Sequence, residues 1–289
     1  MLKTVIDEKT WLVSQPDHAA VSGYLIAHWG NGEFARPGYY AETPQPEALR
    51  AETIFGIAEH DNGWWEWEAD PQIDPRDGLP LHLIEMSQRE GFERWRRGVP
   101  RFQNDHPYTA LLISLHAYWI YAPRVENDPG PVFRHPLFGD TALQHKYEGE
   151  ELLEARRFLA EQKQIQAEIL AALHTDAGWA AAARPASLNP HVRLLQLADA
   201  LSLALCFGGR EALTLREIPR RSWTDRVTIE LTPRPENRVV CRPYPFDIDP
   251  LPVKLRARIL NAAERPGGDF QSWWHGVPRQ QIEFSYCSG

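Results

Sequence analysis

The sequence predicts a mainly α fold, a helical body with an antiparallel β-sheet attached. Three observations carry that expectation. Between residues 15 and 209, apolar side chains recur at helical spacing in stretches bounded by Pro, Gly and Asn. After Arg210 the pattern changes to alternating apolar and polar residues in short runs separated by Pro, Gly and Asn clusters. Residues 1–14 read as two short β-runs around an Asp-Glu-Lys turn, a hairpin too small to be stable alone and expected to join the C-terminal sheet. The expected organisation is a hairpin (1–14), a helical body (15–209) and a β-rich appendage (210–289).

Each element has a local reason. In "QPDHAAVSGYLIAHWGNG", Pro16 suits a first helical turn and Gly30-Asn31-Gly32 closes the helix. A second helix, "PEALRAETIFGIAEH", runs from about Pro46 to His60, and Asp70 to Pro80 is turn chemistry. "SQREGFERWRRG" reads as a polar helix. "HPYTALLISLHAYWIYA" reads as an apolar one that stops at Pro123, before a proline-rich loop over 123–139. A long amphipathic helix follows from about Glu148 to Leu173. "NPHVRLLQLADALSLALCFGG" starts at Asn189-Pro190 and ends on Gly208-Gly209. "RVTIEL", "NRVVCRPY", "VKLRARIL" and "RQQIEFSY" read as four antiparallel strands.

Composition narrows the function. With 289 residues, 43% hydrophobic and 24% charged, the chain is an ordinary globular one, long enough for a substantial core. Its 24 prolines imply defined connections, and its 11 tryptophans an aromatic core or an aromatic-lined cavity. A net charge of −8 argues against nucleic-acid partners, and the short basic run "RWRRG" at 94–98 reads as a solvated helix face. Three widely spaced cysteines suit a reducing compartment, with neither a disulfide framework nor a thiolate zinc site. No leader is visible, and the most apolar segments are too short and too polar to span a membrane, so a soluble cytoplasmic protein is expected. Glycine-rich phosphate loops, Walker lysines, HExxH motifs and nucleophile elbows are absent from the sequence.

What remains is a set of polar residues on apolar helical faces. At 100° per residue, His18 shares a face with Ser22, Leu25 and Trp29, and His60 with Leu49, Thr53, Gly56 and Ile57. His116 lies with Leu112, Ile113, Trp119 and Ile120. Asp199 lies among Val192, Leu195, Leu203 and Cys206, where a carboxylate is expensive to bury unless a cation or several hydrogen bonds meet it. Two readings are open: Asp199 pairs with a buried Arg such as Arg193 or caps a helix, or it is a ligand. His18 and His116 can likewise be satisfied core histidines or ligands. His60-Asp61 ends a helix just before Asn62-Gly63, where two adjacent side chains can converge on one ion.

The order H…HD…D on separate helices resembles the HD superfamily of metal-dependent hydrolases. "SQPDHAAVSGYLIAHWG", "IAEHDNGWWEWE", "LLISLHAYW" and "RPYPFDIDPLPV" further resemble an uncharacterised bacterial family, domain-of-unknown-function family 3891, over nearly the whole chain. The first resemblance implies an HD-like helical bundle in which His18, His60, Asp61 and Asp199 hold a divalent ion (Mn, Fe, Zn or Mg), with His116 as a further ligand or substrate contact. It implies hydrolysis of a small phosphorylated or nucleotide-like substrate by metal-activated water, with Asp61 or Asp199 orienting the water and His28 and Glu59 as proton-transfer candidates. Asn62, Trp64 and Trp65 are the expected substrate-pocket residues; the tryptophans can equally pin the loop to the body. The pattern departs from many HD phosphodiesterases at Trp64, where those carry a lysine, and in its long inter-ligand spacings. Two other functions stay open: a di-iron oxygenase, with His82 and His116 as middle ligands, and a non-catalytic metal- or ligand-binding scaffold. An exposed sheet edge would permit a homodimer.

Overall fold

The computed structural model describes residues 1–126, 146–261, 264 and 270–289. After the hairpin of β1 (Leu2–Ile6) and β2 (Lys9–Val13) come α1 (Gln15–Ala27), α2 (Pro46–Ala58), a 3₁₀ turn at Asn62–Trp64 and the short α3 (Trp65–Ala69). A second 3₁₀ turn (Leu83–Glu85) precedes α4 (Gln88–Arg101), α5 (Pro107–Val125), α6 (Gly149–Thr175) and α7 (Pro185–Cys206). Strands β3 (Leu213–Pro219), β4 (Arg226–Arg234), β5 (Arg238–Arg242) and β6 (Leu251–Asn261) follow, then α8 (Phe270–Gly276) and β7 (Gln280–Cys287).

The expectation of a mainly α, HD-like helical bundle is overturned. Among the described residues the chain is about 48% helical, and its other half is organised by a curled seven-stranded sheet in the order β1-β2-β6-β7-β5-β4-β3. The sheet is mixed, not antiparallel throughout, because β7 inserts between β6 and β5 and lies parallel to β5. The hairpin joins it through the antiparallel β2–β6 pairing. Three elements, α3, β3 and α8, have no counterpart in the expected set. The sheet is also no satellite of a separate helical core. α1 packs on β6 and α7 on β3, and one buried cluster holds Leu25, Leu195 and Leu205 from the helices together with Leu251, Val253 and Phe284 from the strands.

Local chemistry explains where most helices begin. Ser14 caps α1 by accepting from the Asp17 N–H, with Pro16 in the first turn, and Ser87 caps α4 in a reciprocal capping box with Glu90. Pro100 lies in the last turn of α4, and two further prolines fall inside helices instead of bounding them. α5 continues through Pro123 to Val125, whose buried side chain sits with Ala122 and Phe158 in a second core cluster. α7 begins at Pro185 and passes through Pro190. In both cases packing of the surrounding turn outweighs the one lost backbone hydrogen bond. Of the expected loop at 123–139, residues 127 onward lie outside the described residues. Among the described residues no helix is long and apolar enough to cross a membrane.

For the site, the decisive packing is among α1, α2, α5 and α7. α1 lies against both α2 and α7, and α5 against both α2 and α7, so the inward faces of four helices converge. α4 closes the side by packing on the turn at Asn62–Trp64.

Candidate metal centre

Each of these helices, or the turn that leaves it, delivers polar groups to the convergence point. His18 comes from the first turn of α1, His116 from the middle of α5 and Asp199 from the middle of α7; all are buried. His60 and Asp61 come from the turn that leaves α2, also buried. His18 Nε2 lies 2.8 Å from Asp61 Oδ2. His60 Nε2 is 3.5 Å from Asp199 Oδ1 and 3.7 Å from Asp61 Oδ2, and His116 Nε2 is 3.6 Å from Asp199 Oδ2. Asp199 faces these three imidazoles and does not pair with Arg193, whose guanidinium goes to Gln196 and to the Arg216 carbonyl.

The spacing decides between a hydrogen-bonded cluster and a cation cradle. Two ligand atoms each ~2.0–2.2 Å from a shared ion stand roughly 3.0–3.5 Å apart, depending on the angle between them. The contacts of 3.5–3.7 Å are too long for hydrogen bonds and close to that separation. His60 supplies the clearest sign. Its Nδ1–H donates to the Ile57 carbonyl at 2.8 Å, which turns Nε2 inward, and Nε2 is buried with no hydrogen-bond partner among the described residues. The buried group His18, His60 and Asp199 could hold a metal ion, with ligand atoms all within 4.8 Å of one another. The donors are imidazole nitrogen and carboxylate oxygen without thiolate, a set that suits Mn, Fe, Zn or Mg.

A second ring of contacts orients these groups. Ser202 Oγ donates to the Asp199 backbone carbonyl (2.9 Å) and receives Ser22 Oγ–H at 2.8 Å. Ser202 Oγ also meets His18 Nδ1 at 2.9 Å while His18 Nε2 meets Asp61 Oδ2, so the ring is fixed between the hydroxyl and the carboxylate. Burial disfavours a charged His60, but the carboxylates of Asp61 and Asp199 overcome it and raise the imidazole to about 9. Burial works against ionised Asp61 as well; the neighbouring His60 and His18 outweigh it and hold the carboxyl below its usual range.

Gly63 explains why the His-Asp pair is followed by Asn-Gly. A methyl group on Gly63 would stand 2.1 Å from the Arg94 carbonyl oxygen, and one on Gly98 would stand 3.0 Å from the Gly63 nitrogen. The turn therefore lies directly on the α4 backbone, and that contact sets Asp61 beside His18 while placing Trp64 over Arg94. Four of the five, His18, Asp61, His116 and Asp199, line a cavity of about 380 Å³, with His60 packed behind them. Trp64, Trp95 and Tyr121 form its aromatic wall, Met86, Ile120 and Leu203 its aliphatic one, and Arg94, Arg124, Gln15 and Gln88 its polar groups.

Family comparison agrees with the sequence signature. The family described as "Protein of unknown function (DUF3891)" matches residues 1–262. The chain belongs to the DUF3891 family. That membership brings no activity with it, and no curated protein or solved structure gives a significant match to the chain.

Five of the expected site residues of this DUF3891 protein, His18, His60, Asp61, His116 and Asp199, thus meet, and Trp64 walls the same cavity. The others stand apart. His28, at the far end of α1, pairs with Asp247 at 2.9 Å. Glu59 caps α2 and does not line the cavity; burial raises its carboxyl, with His60 and Arg101 opposing. Asn62 donates to the Glu59 carbonyl, holding the turn instead of lining the pocket. Trp65 is 42% exposed and stacks under Arg101. His82 caps the second 3₁₀ turn and faces Phe207, away from the cluster. Arg94, Trp95 and Gln15 went unrecognised. Arg94 is not on a solvated face: it is 5% exposed, on a stripe with Gly91, Trp95 and Gly98. The two glycines and the indole spaced around it are the signal that the stripe faces inward.

Proposed function

We propose that His18, His60, Asp61 and Asp199, with His116 beside them, hold a divalent cation in the H…HD…D manner of HD-superfamily hydrolases. On this reading the protein is a metal-dependent hydrolase of a small phosphorylated or nucleotide-like substrate. The likeness rests on the ligand pattern and not on the fold as a whole. The observation that carries it is the partnerless, inward-turned Nε2 of His60 beside the Asp199 and Asp61 carboxylates, which themselves line a cavity sized for a small molecule.

A bound divalent ion supplies polarisation of a phosphoryl oxygen and a lowered pKa for water. The chain's own groups do the remainder. Asp61 and Asp199 present carboxylate oxygens that accept a proton from a water at the floor, and His18, held by Ser202, keeps Asp61 in place. His116, lining the cavity next to Asp199 Oδ2, is placed to pass a proton to a leaving oxygen. Trp64, Trp95 and Tyr121 exclude water and offer flat faces to a base or sugar.

Elemental analysis of protein purified without chelators tests the metal, with His60→Ala as the control. The wild type is expected to carry close to stoichiometric metal and the variant to lose it; equal metal in both would refute the ligand assignment. Turnover of phosphomonoester and phosphodiester panels, dependent on added divalent ion, tests the reaction. Firm metal retention without turnover on either panel would remove the hydrolase reading and leave a metal-binding scaffold.

A further inference from the structure

Arg94 is a buried cation that makes no ion pair among the described residues; Glu90 and Glu68 act on it only at longer range. Arg94 is 5% exposed, and the Glu66 carboxylate is taken by the neighbouring Arg97 and Arg101. One nitrogen, Nη2, approaches the weak acceptor Met86 Sδ at 3.4 Å, while Nε and Nη1 are buried without a hydrogen-bond partner. The guanidinium lies 4.0 Å above the Trp64 ring and 5.6 Å from Trp67, which holds the plane but satisfies no N–H. An unpaired buried charge is costly, and a fold without a use for it would gain by replacing it with an apolar residue. Arg94 also lines the same cavity as His18, Asp61, His116 and Asp199. Nearby, Gln15 Oε1 is a second buried polar atom without a partner on that cavity wall.

We propose that Arg94 is the anion-recognition residue of this pocket: it receives an oxyanion carried by the substrate, whose flat or apolar body lies against Trp64, Trp95 and Tyr121. The guanidinium fork matches phosphate or carboxylate geometry, and its pre-set plane on Trp64 lowers the ordering cost of binding. Gln15 accepts from a hydroxyl or amine of the same ligand. The contact of Gly63 with the α4 backbone ties this anion site to Asp61, so one rigid turn sets the distance between the group that is held and the group that reacts. The proposal rests on the hydrolase reading for the reaction but not for the binding, because Arg94 is outside the ligand cluster.

Calorimetric titration of phenyl phosphate and of benzoate into the full-length wild type, Arg94→Met, Arg94→Lys and His60→Ala provides the test. The wild type is expected to bind at least one probe, and comparison of the two separates phosphate from carboxylate. Arg94→Met is expected to lose roughly 10- to 100-fold in affinity, the loss expected for a hydrogen bond to a charged group, while its melting temperature holds or rises. Arg94→Lys falls between. No binding by the wild type, or equal binding by wild type and Arg94→Met, overturns the proposal, as does a lower melting temperature in Arg94→Met with unchanged affinity. If no protein sample carries metal but Arg94→Met alone loses the probe, the anion site stands and the hydrolase reading fails. If metal is present and probe affinity ignores Arg94, the reverse holds.

Discussion

Substituting Gly63 by alanine probes the junction on which both parts of the cavity depend. The added methyl would lie 2.1 Å from the Arg94 carbonyl oxygen and 2.8 Å from the carbonyl carbon, and both are backbone atoms of a long helix that cannot swing aside. Because non-bonded heavy atoms rest roughly 3.5 Å apart, the turn and α4 would have to part by about an ångström or more. Overpacking of this kind costs about 1–3 kcal/mol or somewhat more, which for a chain of this size lowers the melting temperature by roughly 2–10 °C. The displacement falls on Asp61, two positions earlier in the same turn, and stretches its 2.8 Å contact with His18. Metal content is therefore expected to drop together with stability. Thermal unfolding and elemental analysis of Gly63→Ala should be compared with Gly32→Ala, where the new methyl meets nothing within 4 Å. If Gly63→Ala melts with the wild type and keeps its metal, the turn does not bear on α4 as described.

Other outcomes follow from the same geometry. Ser202→Ala removes the hydroxyl that meets His18 Nδ1 and is expected to weaken metal binding by roughly 10- to 100-fold while leaving the fold intact, as loss of an outer contact does elsewhere; titration with a chelator competitor measures it, and an unchanged affinity would count against Ser202 as the group that orients His18. For metal-free protein, His60 has a folded pKa of about 9 against an ordinary 6.5. A raised pKa contributes stability that is complete below 6.5 and is lost as pH rises through 9, so the stability difference between wild type and His60→Gln should shrink over that window. The difference is the right measure because burial lowers the pKa of the N-terminal amine and tilts the background the other way. A difference that is flat or widening from pH 6.5 to 9 would contradict the proximity of His60 to the two carboxylates. Added divalent ion competes with the His60 proton, so its stabilising effect should grow across the same range, read as the shift in melting temperature with and without the ion.

The cluster was legible because its members break local rules. Asp199 is a carboxylate on an otherwise apolar face, and His18, His60 and His116 sit on inward stripes; helical periodicity alone tells which way such residues point. Arg94 broke the same rule but was masked by Arg96 and Arg97 beside it, which do face outward into ion pairs with Glu161 and Glu66. His28 has a partner, Asp247, that is remote in sequence and so could not be paired with it from spacing. Trp64 and Trp65 are adjacent in sequence, but the 3₁₀ turn sends one into the cavity and the other to the surface.

By itself the sequence determined most helices, the hairpin, four of the strands and the identity of the residues that gather at the cluster. Capping, side-chain periodicity and turn chemistry act over a few residues and are written locally. Tertiary structure decided the rest: the seven-stranded mixed sheet, the helices that run through Pro123 and Pro190, and the burial of Arg94. These depend on pairings between distant segments, such as β2 with β6 and β5 with β7, and on which neighbour covers a given face. No short stretch of the chain encodes such contacts, because their energies arise only when the segments meet.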